Sequence, residues 1–122
     1  MSRIVWIAAV VSVLAAGVLH AQSFPNRPLR VIVPYVAGGS TDALARMIGQ
    51  RLTAALAQPV VIDNRAGANG AIASELVARA APDGYTLNFG SAGTVALGIA
   101  FGAKLSYDAR RDFAPVTLLA VN

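Results

Sequence analysis

The fold is decided by residues 29–42, which read LRVIVPYVAGGSTD. The first part, Leu29 to Pro34, is a short apolar run rich in β-branched residues, which is typical of a strand buried on both faces. Proline ends such a strand. A glycine-containing loop follows and leads into a helix from Thr41 onward, so the stretch predicts one strand–loop–helix unit of an α/β protein.

The helix after Thr41 is predicted by apolar residues at three- and four-residue spacing, with polar residues between them. The apolar residues are Leu44, Met47, Ile48, Leu52, Ala55 and Leu56. Pro59 marks the end of the helix.

The same unit then repeats along the chain. Val60 to Ile62 predict a second strand, Ile72, Leu76 and Ala80 the apolar face of a second helix, and Tyr85 to Phe89 a third strand. A short helical or irregular stretch follows from Thr94 to Phe101, and residues 116–121 predict a fourth strand. The first three strand starts leave room for helical crossovers, which favours a parallel sheet flanked by helices. Asn69-Gly70 is the one signal for a hairpin instead.

Two of the predicted loops share a composition that suits an anion. Each follows a strand, so both lie at the carboxyl edge of a parallel sheet, where α/β proteins bind ligands. Glycines allow close backbone approach, and helix N-termini and hydroxyls supply donors. The candidate ligand-binding residues in these loops are Tyr35, Gly38, Gly39, Ser40, Thr41, Asp42, Ser91, Gly93 and Thr94.

Two polar positions of this edge have alternative roles. Asp42 carries a negative charge that would repel an anion, so it suits helix capping and an i,i+4 pair with Arg46. Asn64 and Arg65 follow the second strand. They either contact the far end of a ligand or close the turn.

The composition excludes several kinds of chemistry. The chain has no cysteine and one histidine, His20, which excludes zinc sites of Cys and His, thiol chemistry and histidine-based nucleophilic catalysis from the rest of the chain. Dinucleotide and phosphate-loop fingerprints are missing. The arginines are scattered and not interleaved with aromatic residues, which argues against nucleic-acid binding. We predict neither a metal site nor a cofactor.

Residues 1–21 have the pattern of a cleavable signal peptide. Arg3 supplies the positive charge, Ile4 to Leu19 is an apolar run, and Ala21 is a small residue at the cleavage point. The run is short for a membrane span, which needs ~20 residues. The predicted mature chain is therefore an exported one, residues 22–122.

Several motifs together resemble one family. They are the 28–35 stretch PLRVIVPY, the loop GGSTD at 38–42, QPVV at 58–61 with Asn64-Arg65 and Gly67-Ala68, APDGYTL at 81–87, Tyr107-Asp108, and DFAPV at 112–116. These motifs resemble the substrate-binding receptors of tripartite tricarboxylate transporters, the Bug family. The resemblance departs at Val36-Ala37, at Ala66 and between Leu97 and Gly102.

The resemblance implies a periplasmic-binding-protein-like fold and a function. Family members are monomeric, two-domain periplasmic receptors whose cleft closes on a small carboxylate and presents it to membrane permease subunits. In them the first strand-to-helix loop and the Ser-x-Gly-Thr loop hold a ligand carboxylate, which corresponds to Tyr35–Asp42 and Ser91–Thr94 here. Residues 22–122 would then be the N-terminal part of domain one, without the second domain.

Two other interpretations stay open from the sequence alone. One is an exported α/β enzyme acting on a carboxylated substrate, with Asp63, Asp83 or Tyr35 as acid or base. The other is a non-functional fragment that does not fold stably.

Overall fold

The computed structural model describes residues 24–91, 93–97 and 104–119. Within these residues the chain forms a three-stranded sheet with helices between the strands. The elements are β1 (Leu29–Val33), α1 (Ser40–Leu56), β2 (Val60–Asn64), a 3-10 turn (Ala68–Gly70), α2 (Ala71–Ala78), β3 (Thr86–Asn88) and a π-helical turn (Gly93–Leu97).

The sheet is parallel and has the strand order β2-β1-β3. Leu29 of β1 pairs with Val60 of β2, and Arg30 pairs with Thr86 of β3. The predicted parallel α/β architecture is therefore confirmed. The hairpin alternative at Asn69-Gly70 is wrong, because these residues form the 3-10 turn that leads directly into α2.

The two helices pack on opposite faces of the sheet. Val31 and Val33 of β1 are buried together with Ala45 of α1. The side chain of Asn88, which alternates with Leu87 along β3, donates to Ser74 of α2 at 3.3 Å. Because neighbouring residues of a strand point to opposite faces, both faces of β1 are covered, and Ile32 and Val33 are fully buried.

The buried face of α1 differs from the predicted one. Met47 is 53% exposed and Ala55 is exposed, whereas Ala45 and Gly49 are buried. A Cβ built on Gly49 would lie 3.1 Å from the Ile62 side chain. Small residues therefore face the sheet, because the helix lies close to it. The prediction relied on the spacing of large apolar side chains and so missed these small buried residues.

The buried face of α2 is shifted in the same way. Ile72 is 51% exposed, and Ala80 lies beyond the end of the helix. Ala73 and Ser74 are fully buried instead, since the small side chains again face the sheet. The expectation for Ile72 was therefore wrong.

The predicted fourth strand is wrong over the residues that the structure describes. Val116 to Leu119 have no strand structure, and Val116 and Leu118 are 79% and 78% exposed. A strand forms by pairing, and in the described residues β3 pairs with β1 alone. The rest of that segment, residues 120–121, lies outside the described residues.

The helical turn predicted after the third loop is present at Gly93–Leu97, and residues 98–101 lie outside the described ranges. The predicted signal peptide, residues 1–21, also lies outside them. Among the described helices, none has both the length and the apolar character needed to cross a membrane.

Candidate anion site at the carboxyl edge of the sheet

The first and third strand-to-helix loops meet at the carboxyl edge of the sheet, as predicted. The hydroxyl groups of Tyr35 and Ser91 lie 2.9 Å apart and share a hydrogen bond. Tyr35 follows β1 and Ser91 follows β3, which are adjacent strands. The hydrogen bond therefore joins the two glycine-containing loops that the sequence singled out.

The N-terminus of α1 opens toward this edge without a side-chain cap. Gly39 is the N-cap residue, and the first helical bond runs from the Ala43 N–H to the Gly39 carbonyl at 3.0 Å. The N–H groups of Ser40, Thr41 and Asp42 precede this bond, so they have no acceptor within the helix. Together with the exposed Ser40 side chain, they form a set of donors suited to an anion.

Gly38 precedes these donors, and open space lies on the side where a side chain would project. Its φ is +87°, and a Cβ built on it would meet no atom within 4 Å. The positive φ accounts for glycine here, and the open space gives a ligand access to the backbone.

Asp42 is buried, and its carboxylate is bound by three donors. It is 3% exposed. Its carboxylate accepts from Arg46 Nε at 2.9 Å, from the Gly38 N–H at 2.8 Å and from Asn64 Nδ2 at 3.0 Å. These hydrogen bonds, that from Arg46 above all, lower the pKa of Asp42 to about 2.

The predicted Asp42–Arg46 pair is thus confirmed. The predicted capping role is wrong, because the Asp42 side chain does not cap the first turn of α1. The carboxylate accepts from Gly38, which precedes the N-cap, and makes no cap hydrogen bond to the first turn. Asp42 therefore fixes the loop that precedes the helix and leaves the helix donors free.

Asn64 at the end of β2 ties its own strand end to the loop that follows β1 and to α1. Its Nδ2 donates to the Tyr35 carbonyl at 3.1 Å, and its Oδ1 accepts from Arg46 Nη2 at 3.2 Å. Arg65 donates its N–H to the Val33 carbonyl at 2.8 Å. Of the two roles considered from the sequence, these contacts match the turn-closing one.

The loop from Ser91 to Thr94 is held by its own hydrogen bonds. The Ser91 N–H donates to Thr94 Oγ1 at 2.9 Å, and Thr94 Oγ1 donates to the Ser91 carbonyl at 3.1 Å. The Thr94 N–H lies 3.3 Å from Ser91 Oγ. Gly93, also predicted for the site, is half-buried and begins the π-helical turn.

Two residues outside the predicted site, Gly70 and Tyr107, contact this loop. A Cβ built on Gly70, whose φ is +87°, would lie 2.6 Å from Cβ of Thr94 and 3.2 Å from Pro34. The hydroxyl of Tyr107 donates to the Thr94 carbonyl at 3.3 Å. Both contacts are distant in sequence, and no local pattern predicts them.

The residues considered for acid–base chemistry do not form a site. Asp63 is bound by Arg30 and by Arg65. Burial raises its pKa, but the hydrogen bonds from both arginines outweigh burial and keep the pKa lowered. Asp83 precedes β3, at the opposite edge from Tyr35, and pairs with Arg27 at 2.6 Å. Among the described residues, no group of three or more His, Cys, Asp or Glu side chains is placed to hold a metal ion.

These features define a class of protein. A parallel α/β sheet with donor-rich loops at its carboxyl edge, no assembled acid–base pair among the described residues and an uncapped helix N-terminus is typical of an anion-binding domain. Residues 44–122 match the family described as the tripartite tricarboxylate transporter family receptor, TctC. The chain belongs to this family, whose members are receptors and not enzymes.

Relatives and solved structures agree with this assignment. A UPF0065 protein of Bordetella bronchiseptica is 40% identical over 95% of this chain and 35% of its own length. Protein BugT of Bordetella pertussis is 40% identical over 85% of this chain and 32% of its own length.

Two of the similar solved structures contain a small carboxylate. MatC of Rhodopseudomonas palustris, with bound malate, is 45% identical and superposes with a TM-score of 0.72 over 76% of this chain and 32% of its own. An R. palustris protein with adipate is 46% identical, with a TM-score of 0.52 over 53% of this chain and 22% of its own. The chain spans about a third of the length of the curated relatives above.

Proposed function

We propose that this chain forms one side of the ligand cleft of a periplasmic receptor, which binds a small carboxylate and delivers it to the permease subunits of a tripartite tricarboxylate-type transporter. The observation that carries the proposal is the uncapped N-terminus of α1 beside the Tyr35–Ser91 hydrogen bond. Malate and adipate in the two R. palustris structures support a carboxylate as the ligand class.

The energetics of such a site suit a carboxylate. A hydrogen bond to a charged group contributes about 1.5–3 kcal/mol, and the helix dipole adds ~0.3–1 kcal/mol. Two or three of the donors from Ser40, Thr41 and Ser91 would then give measurable binding. A cleft needs a second side to desolvate and orient its ligand, so we expect binding by residues 22–122 alone to be weak.

The remaining parts of the proposal concern location and assembly. Residues 1–21 direct export, and the mature chain acts in the periplasm as a monomer. Its partners are the carboxylate and the permease, with no cofactor, metal or nucleic acid.

Titration of the 15N-labelled chain, followed by NMR, tests the proposal because NMR detects weak binding and localises it. Malate and adipate should shift the amide signals of Gly39 to Asp42 and of Ser91 to Thr94. The neutral diamide of malate is the matched control, since it keeps the shape and lacks the charge. Carboxylates that leave these signals unchanged, or a diamide that shifts them equally, would overturn the proposal.

A further inference from the structure

Tyr107 lies outside the predicted site but contacts it directly. Its side chain is 8% exposed, and its hydroxyl donates to the main-chain carbonyl of Thr94 at 3.3 Å. The ring packs edge-on against Phe113, with centroids 5.6 Å apart and planes at 89°. Both the ring and the hydroxyl of Tyr107 are therefore held in place.

The segment that carries Tyr107 is fixed by its own turn. The Asp108 carbonyl accepts from the Asp112 N–H at 2.8 Å, and Asp112 Oδ2 accepts from the Asp108 N–H at 2.8 Å. The hydrogen bond from the Asp108 N–H also lowers the pKa of Asp112, with Arg111 assisting. The turn is thus closed by contacts that do not involve the anion site.

Thr94 is confined from a second direction by Gly70. Thr94 is 5% exposed, and Gly70 is buried and approaches it so closely that a Cβ would lie 2.6 Å from Cβ and Cγ2 of Thr94. The carbonyl of Thr94 is thus bound by Tyr107, and its side chain packs directly against Gly70. Because Thr94 Oγ1 binds both the N–H and the carbonyl of Ser91, the position of Thr94 sets that of Ser91.

We propose that Tyr107 is a positioning residue of the anion site, which acts through the Thr94 carbonyl to fix the Ser91–Thr94 loop and hence the Ser91 hydroxyl. The effect on the ligand rests on the proposed function. The effect on the loop does not, since it is a property of the ligand-free protein.

The variant Tyr107→Phe tests the proposal because it removes the hydroxyl and keeps the ring against Phe113. Tyr85→Phe is the matched control: it also removes a bound hydroxyl, which lies 2.8 Å from Asn26 Oδ1 near the opposite edge of the sheet. The N–H groups of Thr94 and Val95 donate to the Ser91 carbonyl at 3.1 and 3.0 Å. In Tyr107→Phe we expect amide exchange at these two positions to rise about two- to tenfold, the range of one net hydrogen bond. The amides of β1 should exchange as before.

The same variant should bind malate about two- to tenfold more weakly, and Tyr85→Phe should change neither quantity.

The outcomes separate the two proposals. Unchanged exchange at Thr94 and Val95 in Tyr107→Phe would overturn the positioning role, whatever the ligand does. Faster exchange together with unaltered malate affinity would also overturn it, because the loop would then not govern binding. If the unaltered chain binds no carboxylate, the proposed function fails, and the exchange comparison still decides whether Tyr107 fixes the loop.

Discussion

The side-chain amide of Asn64 donates to Oδ1 of Asp42 at 3.0 Å and joins the end of β2 to the first turn of α1. A polar bond of this kind, between elements distant in sequence, fixes the loop after β1 relative to the sheet.

Asp42 should make the stability of the folded chain depend on pH in the acid range. Its pKa is lowered to about 2, against ~3.9 in an unfolded chain. The stabilisation is therefore fully present above about pH 4 and is lost as the pH falls toward 2. Thermal unfolding of Asp42→Asn, followed by circular dichroism between about pH 5 and 2, should show a weaker dependence on pH than the unaltered chain. Parallel curves for the two proteins would contradict this role.

Gly70→Ala should destabilise the chain more than the same change at Gly38. Both residues have φ of +87°, so both variants bear the same conformational penalty of about 1–2 kcal/mol. At Gly70 the new methyl group also overlaps Thr94, whereas Gly38 faces open space. Overpacking adds about 1–3 kcal/mol, which urea unfolding should detect as the difference between the variants. Equal losses of unfolding free energy in the two variants would show that Thr94 moves aside with no loss of stability. A cooperative urea-unfolding transition of the unaltered chain would also contradict the interpretation that the chain is a non-functional fragment that does not fold stably.

Ser91→Ala should weaken malate binding by about tenfold or more, because one hydrogen bond to a charged group contributes about 1.5–3 kcal/mol. The NMR titration described above measures the affinity. Ser106→Ala is the control, since Ser106 is exposed and belongs to neither loop. An affinity unaffected at Ser91 would place the ligand elsewhere.

Export should remove residues 1–21. Expression in a Gram-negative host, osmotic-shock fractionation and mass spectrometry should give a periplasmic chain that begins at Gln22. Leu14→Arg interrupts the apolar run, so it should keep the precursor in the cytoplasm. Release of the uncleaved chain into the periplasm would contradict the predicted cleavage.

Sequence patterns predicted the order of elements well because each strand and helix carries its own local signal. They failed where tertiary packing, rather than the local pattern, decides which residues are buried or paired. Met47 fits the helical period, yet Gly49 faces the sheet, where a Cβ would lie 3.1 Å from the Ile62 side chain, so close packing favours glycine there. Val116 has a strand-like neighbourhood, but pairing requires a partner that local sequence does not supply.

For the candidate site, too, local patterns predicted some features, whereas tertiary contacts decided the others. The two loops could be placed together because parallel strands bring their carboxyl ends to one edge. The contacts that shape them could not, since the bonds of Asn64 to Tyr35 and of Tyr107 to Thr94 span 29 and 13 positions along the chain. Such contacts depend on the tertiary fold, which no short motif encodes.

Arg46, one turn beyond Asp42 in α1, directs its guanidinium to Asp42 and Asn64. A carboxylate at the N-terminus of α1 would therefore meet backbone and hydroxyl donors rather than the guanidinium of Arg46. Dissolved salt screens exposed charges strongly and short-range hydrogen bonds much less. The contribution of this edge to carboxylate affinity should accordingly change little with the ionic strength of the surroundings.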